Sequence, residues 1–416
     1  MLIYQVFVRN FSKEGTFAGV IEKLDEICKL NPSYLYLLPI HPIGVKDRKG
    51  DIGSPYSIKD YLVVDDELGG EEQFALLIEE CEKRNLKVMM DIVFHHTSRD
   101  AIYIERNPEW YIYKNGQLAN KVGDWSDIAD LDFNNQSLHK FLIDVLIHYV
   151  KMGVEGFRCD VASLVPVSFW QKARMEVHKI NPNVIFLAES IEPSFIDYVR
   201  GLGEYAATDK ELYEDAFDIL YDYDIYPTLK DYLKTGKNLK KLVDVLNNQN
   251  DILGEKHFKL RFLENHDQER ISKLTSGRNQ LNNLIALSFY LPGYSFIYAG
   301  QEFGIKKLPN LFTKDVVNFK EKDSSIYNQY LEAIAFKEKY GQHFLNKFKV
   351  IKIGKHLISV SVQNKKEKFI GLFNLSEKEE YFEVKETEIL NLLNNKKVNI
   401  RNNRVKVLNP IIYKVS

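Results

Sequence analysis

The chain has 416 residues, 45% hydrophobic and 27% charged, with a formal net charge of -2. That length admits a large catalytic domain plus one or two smaller ones, and the balance is that of an ordinary globular protein. Scattered Lys and Arg near neutrality exclude a nucleic-acid footprint, and no apolar run is long enough to span a bilayer.

Residues 1–7 have no basic flank before an apolar core. They read as a first strand and not a signal peptide, so the expected location is the cytoplasm. Strand one covers residues 2–8, and apolar residues at helical spacing predict a helix over 17–30, stopped at Asn31-Pro32. Residues 33–38 form strand two. Gly53-Ser54-Pro55-Tyr56-Ser57 is a loop, 71–84 a helix, and 86–94 strand three, with Asp91 near its end and His95-His96 beyond. From 97 to 134 the periodicity breaks down. Trp110 and Trp125 lie among Asn, Gly and Asp, which predicts a small lobe inserted after strand three. Helix 137–152 follows, then strand four.

Strand four is Val154-Glu155-Gly156-Phe157-Arg158-Cys159-Asp160. Its apolar part suits a buried parallel strand, yet Arg158 and Asp160 lie two apart and point the same way. Two charges on one strand face need partners; the plain reading is a structural ion pair. Further on come helix 166–180, strand five 184–189 ending in Glu189, strand six 217–221, helix 227–246, strand seven running from Leu260 to Asn265-His266-Asp267, helix 279–290, strand eight 295–298 and helix 325–340. Eight alternations with acids at strand ends imply a (β/α)8 TIM barrel whose site lies on the strand-to-helix face. The alternative, an open doubly wound sheet, wants a Gly-rich phosphate turn after strand one, and none is there.

After residue 341 short runs at 350–353, 357–362, 368–373 and 381–384 predict a C-terminal antiparallel β-sandwich, with 391–403 as solvated turns. The expected domains are a barrel of 1–96 and 135–341, an inserted lobe of 97–134 and a β domain of 342–416. Cys28, Cys81 and Cys159 lack the number and spacing of a disulfide framework or a zinc site.

Asp160, Glu189 and Asp267, each closing a strand, suit glycoside hydrolysis, where a carboxylate and a protonated carboxyl flank the bond. At this point the sequence resembles the α-amylase family, glycoside hydrolase family 13. Asp91-Ile92-Val93-Phe94-His95-His96, Gly156-Phe157-Arg158-Cys159-Asp160, Glu189 and Asn265-His266-Asp267 look like its four motifs, in the family's order. Ile3-Tyr4-Gln5-Val6, Tyr56, Asp130-Leu131-Asp132-Phe133-Asn134 and Tyr298-Ala299-Gly300-Gln301-Glu302 are secondary matches.

The resemblance implies a catalytic set of Asp160 as nucleophile, Glu189 as acid/base and Asp267 as stabilising acid. It implies substrate contacts from Tyr56, His96, Arg158 and His266. Trp110 or Trp125 would line the sugar cleft unless both are core of the lobe, and Asp91 would be a network acid. Arg158 would favour the ionised nucleophile, and Glu189 should titrate above Asp160. Asp124, Asp127 and Asp130 read as loop acids rather than metal ligands. Many relatives have Asn at the position of His95, where it gives an oxygen to a structural calcium. Imidazole is a poor calcium ligand, so no metal and no other cofactor is expected.

Val161-Ala162-Ser163 lack the Lys-His that many starch-cleaving relatives carry after the nucleophile. This weakens a carry-over to long starch chains; a cytoplasmic enzyme would meet imported or stored α-glucans, so the expected activity is hydrolysis of α-1,4 bonds in maltooligosaccharides and α-glucans. An exo-acting α-glucosidase, a 4-α-glucanotransferase and a catalytically silent binding protein are the alternatives. Neither a nucleic acid nor a membrane is an expected partner.

Overall fold

The computed structural model describes residues 1–121, 125–254, 256–341, 344–345 and 347–415. Eight parallel strands close into a barrel: β1 (Leu2–Val6), β2 (Tyr34–Leu37), β3 (Lys87–Ile92), β4 (Gly156–Cys159), β5 (Ile185–Ala188), β6 (Ile219–Tyr221), β7 (Phe258–Arg261) and β8 (Tyr294–Tyr298). They follow one another around the ring in chain order. The C-terminal region is antiparallel. A four-stranded sheet holds Phe348–Lys352, Leu357–Gln363, Lys368–Asn374 and Ile411–Lys414, and a three-stranded sheet holds Glu380–Glu383, Arg404–Val407 and Ile400–Arg401. Leu357, Leu372, Val405, Val407, Ile411 and Tyr413 form the core of this region.

The chain divides into two compact units. One holds residues 3–221 and 309–317; the other holds 1–2, 222–308 and 318–416. In the first, β2, β3, β4 and β5 pair in a register that sets Asp91 beside Arg158 and Cys159 beside Ala188. Gly156 lets this seam close tightly: a Cβ there would stand 3.0 Å from the Met89 methyl, which would have to give by a few tenths of an ångström. Helix α1 (Gly70–Glu82) precedes β3. Helix α2 (Gln136–Met152) is capped at its start by the Asn135 carboxamide, which accepts from the Ser137 and Leu138 amides, and it ends at Gly153 with φ 107°.

Several elements depart from the sequence expectation. The predicted helix over 17–30 is broken into Phe17–Ile21 and Leu24–Cys28. The one over 227–246 is two helices, Tyr226–Thr235 and Leu239–Asn248, parted where Gly236 and Asn238 take positive φ. Within 97–134, His96–Ser98 pairs with Ile128–Asp130, and Tyr113–Lys114 turns back onto Gln117–Leu118. That hairpin was legible: Asn115-Gly116, both at positive φ, is the residue pair such a two-residue turn demands. Residues 391–403, read as solvated turns, contribute Lys396–Lys397 and Ile400–Arg401 to strand pairs. Asp124 lies outside the described residues. Among the described residues no helix is long and apolar enough to cross a membrane.

Helix α3 (Val167–Ile180) brings Trp170 under the strand ends. Its ring is fully buried, stacks on Phe94 at 6.0 Å, meets Phe217 edge-on, and donates to the Ala162 carbonyl at 3.2 Å. The loop that begins at Asp160 is thereby tied to the core. Trp170→Ala removes this packing and leaves a cavity, so chemical denaturation should report a loss of about 3–5 kcal/mol.

Candidate active site

Asp91 and Arg158 are the penultimate residues of β3 and β4, and Asp160 and Glu189 are the first residues past β4 and β5. Backbone bonds continue the sheet through them: Asp160 N donates to Ile92 O at 2.8 Å and Glu189 N to Cys159 O at 2.9 Å. The strand pairing alone therefore sets the two acids side by side. All four residues are buried, Arg158 and Asp91 completely.

The Arg158 guanidinium lies among three acids. Its Nη1 donates to Asp91 Oδ1 and to Asp160 Oδ1, each at 2.8 Å. Glu189 Oε1 lies 2.8 Å from Nη2, a charge contact without hydrogen-bond geometry. Asp91 Oδ2 accepts from the Tyr36 hydroxyl at 2.6 Å and from the Tyr56 hydroxyl at 2.9 Å. Asp91 is thus a network acid, saturated by an arginine and two tyrosines. The rings of Tyr56 and Tyr221 face the guanidinium carbon at 5.6 and 5.7 Å.

Burial is the largest influence on the Asp160 carboxyl and pushes it up; Arg158 opposes this, and the carboxylates of Glu189 and Asp91 add to it. Arg158 does favour the ionised form of Asp160, as expected, but burial outweighs it.

Val161, next to Asp160, has φ 35° and ψ 44°. A β-branched residue in the left-handed region is strained by about 1–3 kcal/mol. This turn aims the Val161 amide at Glu189 Oε2, 2.8 Å away. Backbone strain beside the nucleophile candidate therefore orients the second acid.

Behind Tyr56 are His95 and His96, both buried, with their Nδ1 atoms 3.1 Å apart. Burial pushes His96 down to about 4 and His95 well below its usual range, so both are neutral at pH 7. His96 also bonds to the Tyr56 backbone, whose carbonyl can only accept. A neutral ring has one N–H, so His95 supplies the proton between the two imidazoles. The Trp125 ring packs on both, at 6.0 Å from His95 and 5.9 Å from His96. Trp110 is instead core of the inserted segment: it is buried, stacks on Phe141, and donates to the Ser137 hydroxyl.

In the second compact unit, His266 is buried and its Nε2 is 3.0 Å from Asp267 Oδ2, while the Asp267 side chain is 40% exposed. Asn265 holds this turn, accepting from the Asp267 and Gln268 amides at 2.9 and 3.0 Å.

Sequence reasoning missed Tyr36, Tyr221 and the Val161 amide. Each tyrosine sits at or near the carboxyl end of a barrel strand, a polar tip among apolar neighbours, and that position was their available signal. No residue-type signal announces a backbone donor.

The residues around His95 do not suit a calcium ion. The donors are an imidazole and the buried Asp130, whose Oδ1 is 3.7 Å from His95 Nδ1 and whose Oδ2 accepts from the Lys121 amide. Burial pushes Asp130 up to about 6, and the Lys121 charge offsets part of that. Asp127 is paired with Lys49 at 2.9 Å. Among the described residues no three His, Cys, Asp or Glu side chains cluster as metal ligands.

Comparison with known proteins agrees with this geometry. Residues 5–339 match the family model of the alpha amylase catalytic domain. A crystal structure of an alpha-amylase from Lactobacillus plantarum superposes with a TM-score of 0.92 at 34% identity, covering 100% of this chain and 98% of that one. Alpha-amylase 3 of Dictyoglomus thermophilum is 25% identical over 95% of this chain and 89% of its own. Alpha-amylase MalA of Haloarcula japonica is 26% identical over 73% of this chain, which spans only 44% of that protein's length. With a barrel that closes in chain order, and with the catalytic-domain model matched over most of its length, the chain belongs to the alpha-amylase family of glycoside hydrolases.

Proposed function

We propose that the chain hydrolyses α-1,4-glucosidic bonds in maltooligosaccharides and α-glucans with retention of configuration, through an ester on Asp160. The single observation that carries this reading is the guanidinium of Arg158, which reaches Asp160 and Glu189 at 2.8 Å each. One cation in contact with both acids supports the short carboxyl separation, about 5–5.5 Å, of a double displacement.

Asp160 Oδ1 is held by Arg158, which leaves Oδ2 to attack the anomeric carbon. The bond from that carbon to the leaving oxygen breaks, and the oxygen takes a proton delivered by Glu189. Water then gives its proton to Glu189, attacks the same carbon, and frees Asp160 as the carboxylate. The Val161 amide and Arg158 hold Glu189 in place for both steps. Tyr56 is assigned to stacking on the cleaved sugar, His96 and Trp125 to the wall beside it, and Asp267 and His266 to sugar hydroxyls on the strength of their motif. The barrel and lobe are assigned no calcium, because the imidazole of His95 is a poor ligand for a hard cation and no three His, Cys, Asp or Glu side chains cluster among the described residues.

Time-resolved products from maltoheptaose, pullulan, sucrose and isomaltose test the reading. Mixed short maltooligosaccharides from maltoheptaose are expected. Glucose alone would make the action exo, and products longer than the substrate would make it transfer. Asp160→Asn should lower kcat by about 10⁴-fold or more. The same variant should stabilise the fold. Burial raises the Asp160 carboxyl of the native state above its unfolded value near 4, so its contribution to stability falls as pH rises from there through the native value. Thermal unfolding of Asp160→Asn at pH 7 should show a gain of about 0.5–2 kcal/mol that closes below pH 4. Chelation should leave the melting temperature unchanged; a fall of more than a few degrees, reversed by calcium, would refute the metal-free assignment.

A further inference from the structure

The second compact unit buries three cations in one cluster: Lys259, Arg261 and Lys337, none more than 4% exposed. Two of them are paired. Lys259 Nζ is 2.9 Å from Asp224 Oδ1, and Arg261 Nη1 donates to the two Asp222 oxygens at 3.1 and 3.0 Å. Gln249 joins the pairs: its amide nitrogen donates to Asp222 and Asp224, and its oxygen accepts from Arg261. Lys337, in the helix Ser324–Lys339, has no such acid. Among the described residues its ammonium forms no ion pair, and it donates to one carbonyl, Leu291 O, at 2.6 Å.

These groups converge. Arg261 and Ser295 are register partners on β7 and β8, so their side chains leave the sheet on one face. Arg261 extends there to Gln249, and the Phe348 ring lies 5.5 Å from its guanidinium carbon. That face is therefore the one covered by helices and by the C-terminal sheet. Arg261 Nε donates to Pro292 O at 2.7 Å, and Lys337 Nζ takes the carbonyl of the residue before it. Two cations on consecutive carbonyls are neighbours, and they repel: burial first, and then the Arg261 charge, push Lys337 down to about 7. Two donors on the same face have no hydrogen-bond partner among the described residues. They are Arg261 Nη2 and Ser295 Oγ, in side chains no more than 1% exposed. Buried polar groups are as a rule satisfied, so two adjacent exceptions beside an unpaired ammonium call for a partner.

The tally of the cluster is three cations against two carboxylates. We propose that Arg261 Nη2, Ser295 Oγ and Lys337 Nζ bind one small monovalent anion of the halide class. The surplus of one positive charge fixes the valence, because a divalent anion would leave an uncompensated negative charge away from water. The donors fix the sign: an ammonium and a guanidinium have only hydrogens to offer, and a hydroxyl can turn its own toward the ion. The site is built from β7, β8 and the helix Ser324–Lys339, and none of Asp160, Glu189 and Asp267 belongs to it. Its effect is therefore on folding and not on turnover. The native chain holds the anion, the unfolded chain has no such site, and the bound ion ties the helix after β8 to the sheet. This holds whatever sugar the cleft accepts.

Thermal unfolding at fixed ionic strength, with sodium gluconate replaced stepwise by sodium bromide, tests the site. The melting temperature should rise by about 3 °C or more and saturate. Lys337→Met should abolish the dependence on bromide, and Ser295→Ala should weaken the apparent affinity about tenfold. Lys240→Met, which removes an exposed lysine of the same unit, should leave the dependence intact. Crystals of the unaltered protein soaked in bromide should show an anomalous peak between Arg261, Ser295 and Lys337, which decides the question even if Lys337→Met fails to fold. No peak at these three residues, or a bromide dependence that survives Lys337→Met, would overturn the proposal and leave an adventitious ion only. Cleavage of maltoheptaose should be equally fast in the two salts at a temperature where the chain is folded in both. A kcat that changes with bromide would overturn the assignment of the ion to folding alone.

Discussion

The contact on which the site depends is the buried guanidinium of Arg158. It touches Asp91, Asp160 and Glu189 from one strand position, and it has no exposure to water. Desolvating an arginine is costly, and only close partners offset it; desolvating three carboxylates without a cation is worse. Each group therefore holds the others in place. Planarity matters as well, because a guanidinium offers several N–H directions in one rigid fork and an ammonium would not span three acids at once. The cation is short of the three negative charges, and that shortfall is chemically useful. It leaves burial free to raise the Asp160 carboxyl although Arg158 opposes it.

Around this cluster the supporting residues divide by chemistry. The side facing Asp91 is closed by hydroxyls from Tyr36 and Tyr56, so that acid has no spare capacity and acts as an anchor for Arg158. The side facing Glu189 is fixed by a backbone amide that reaches it only because Val161 accepts a strained conformation. Strain beside a reacting group is tolerated where packing overdetermines it, and here Trp170 pins the Ala162 carbonyl one residue further along. The two histidines are neutral by burial, and they pass one hydrogen bond from ring to ring toward the Tyr56 backbone. They link the position of the inserted segment to that of Tyr56.

The excursion after β5, residues 191–207 built around helix α4 (Pro193–Gly201), follows the same logic on a larger scale. Ile196, Val199 and Ala206 pack on Leu164, and three hydrogen bonds tie the excursion to the 161–167 loop, so it is fixed on the chain that follows Asp160. Loops at the carboxyl face of a barrel vary while the strands beneath them stay constant, and this is where selectivity among sugars is written.

The order of the four motifs and the alternation of strand and helix were legible because both are local. Asp91, Arg158, Asp160 and Glu189 sit at or next to strand ends, and strand ends follow from hydrophobic runs and their abrupt charged stops. The family followed from those same residues. The Asn115-Gly116 turn was equally local and was overlooked. What only the tertiary structure decided is everything carried by pairing and burial: that one guanidinium serves three acids, that Tyr36 and Tyr221 join it, that Trp125 meets the histidines while Trp110 fills a core, and that α4 buries Ile196 and Val199 while Tyr198 stays exposed. The physical reason is that charge sharing, desolvation and backbone strain depend on distances between segments far apart in the chain, and periodicity along the chain carries no record of them.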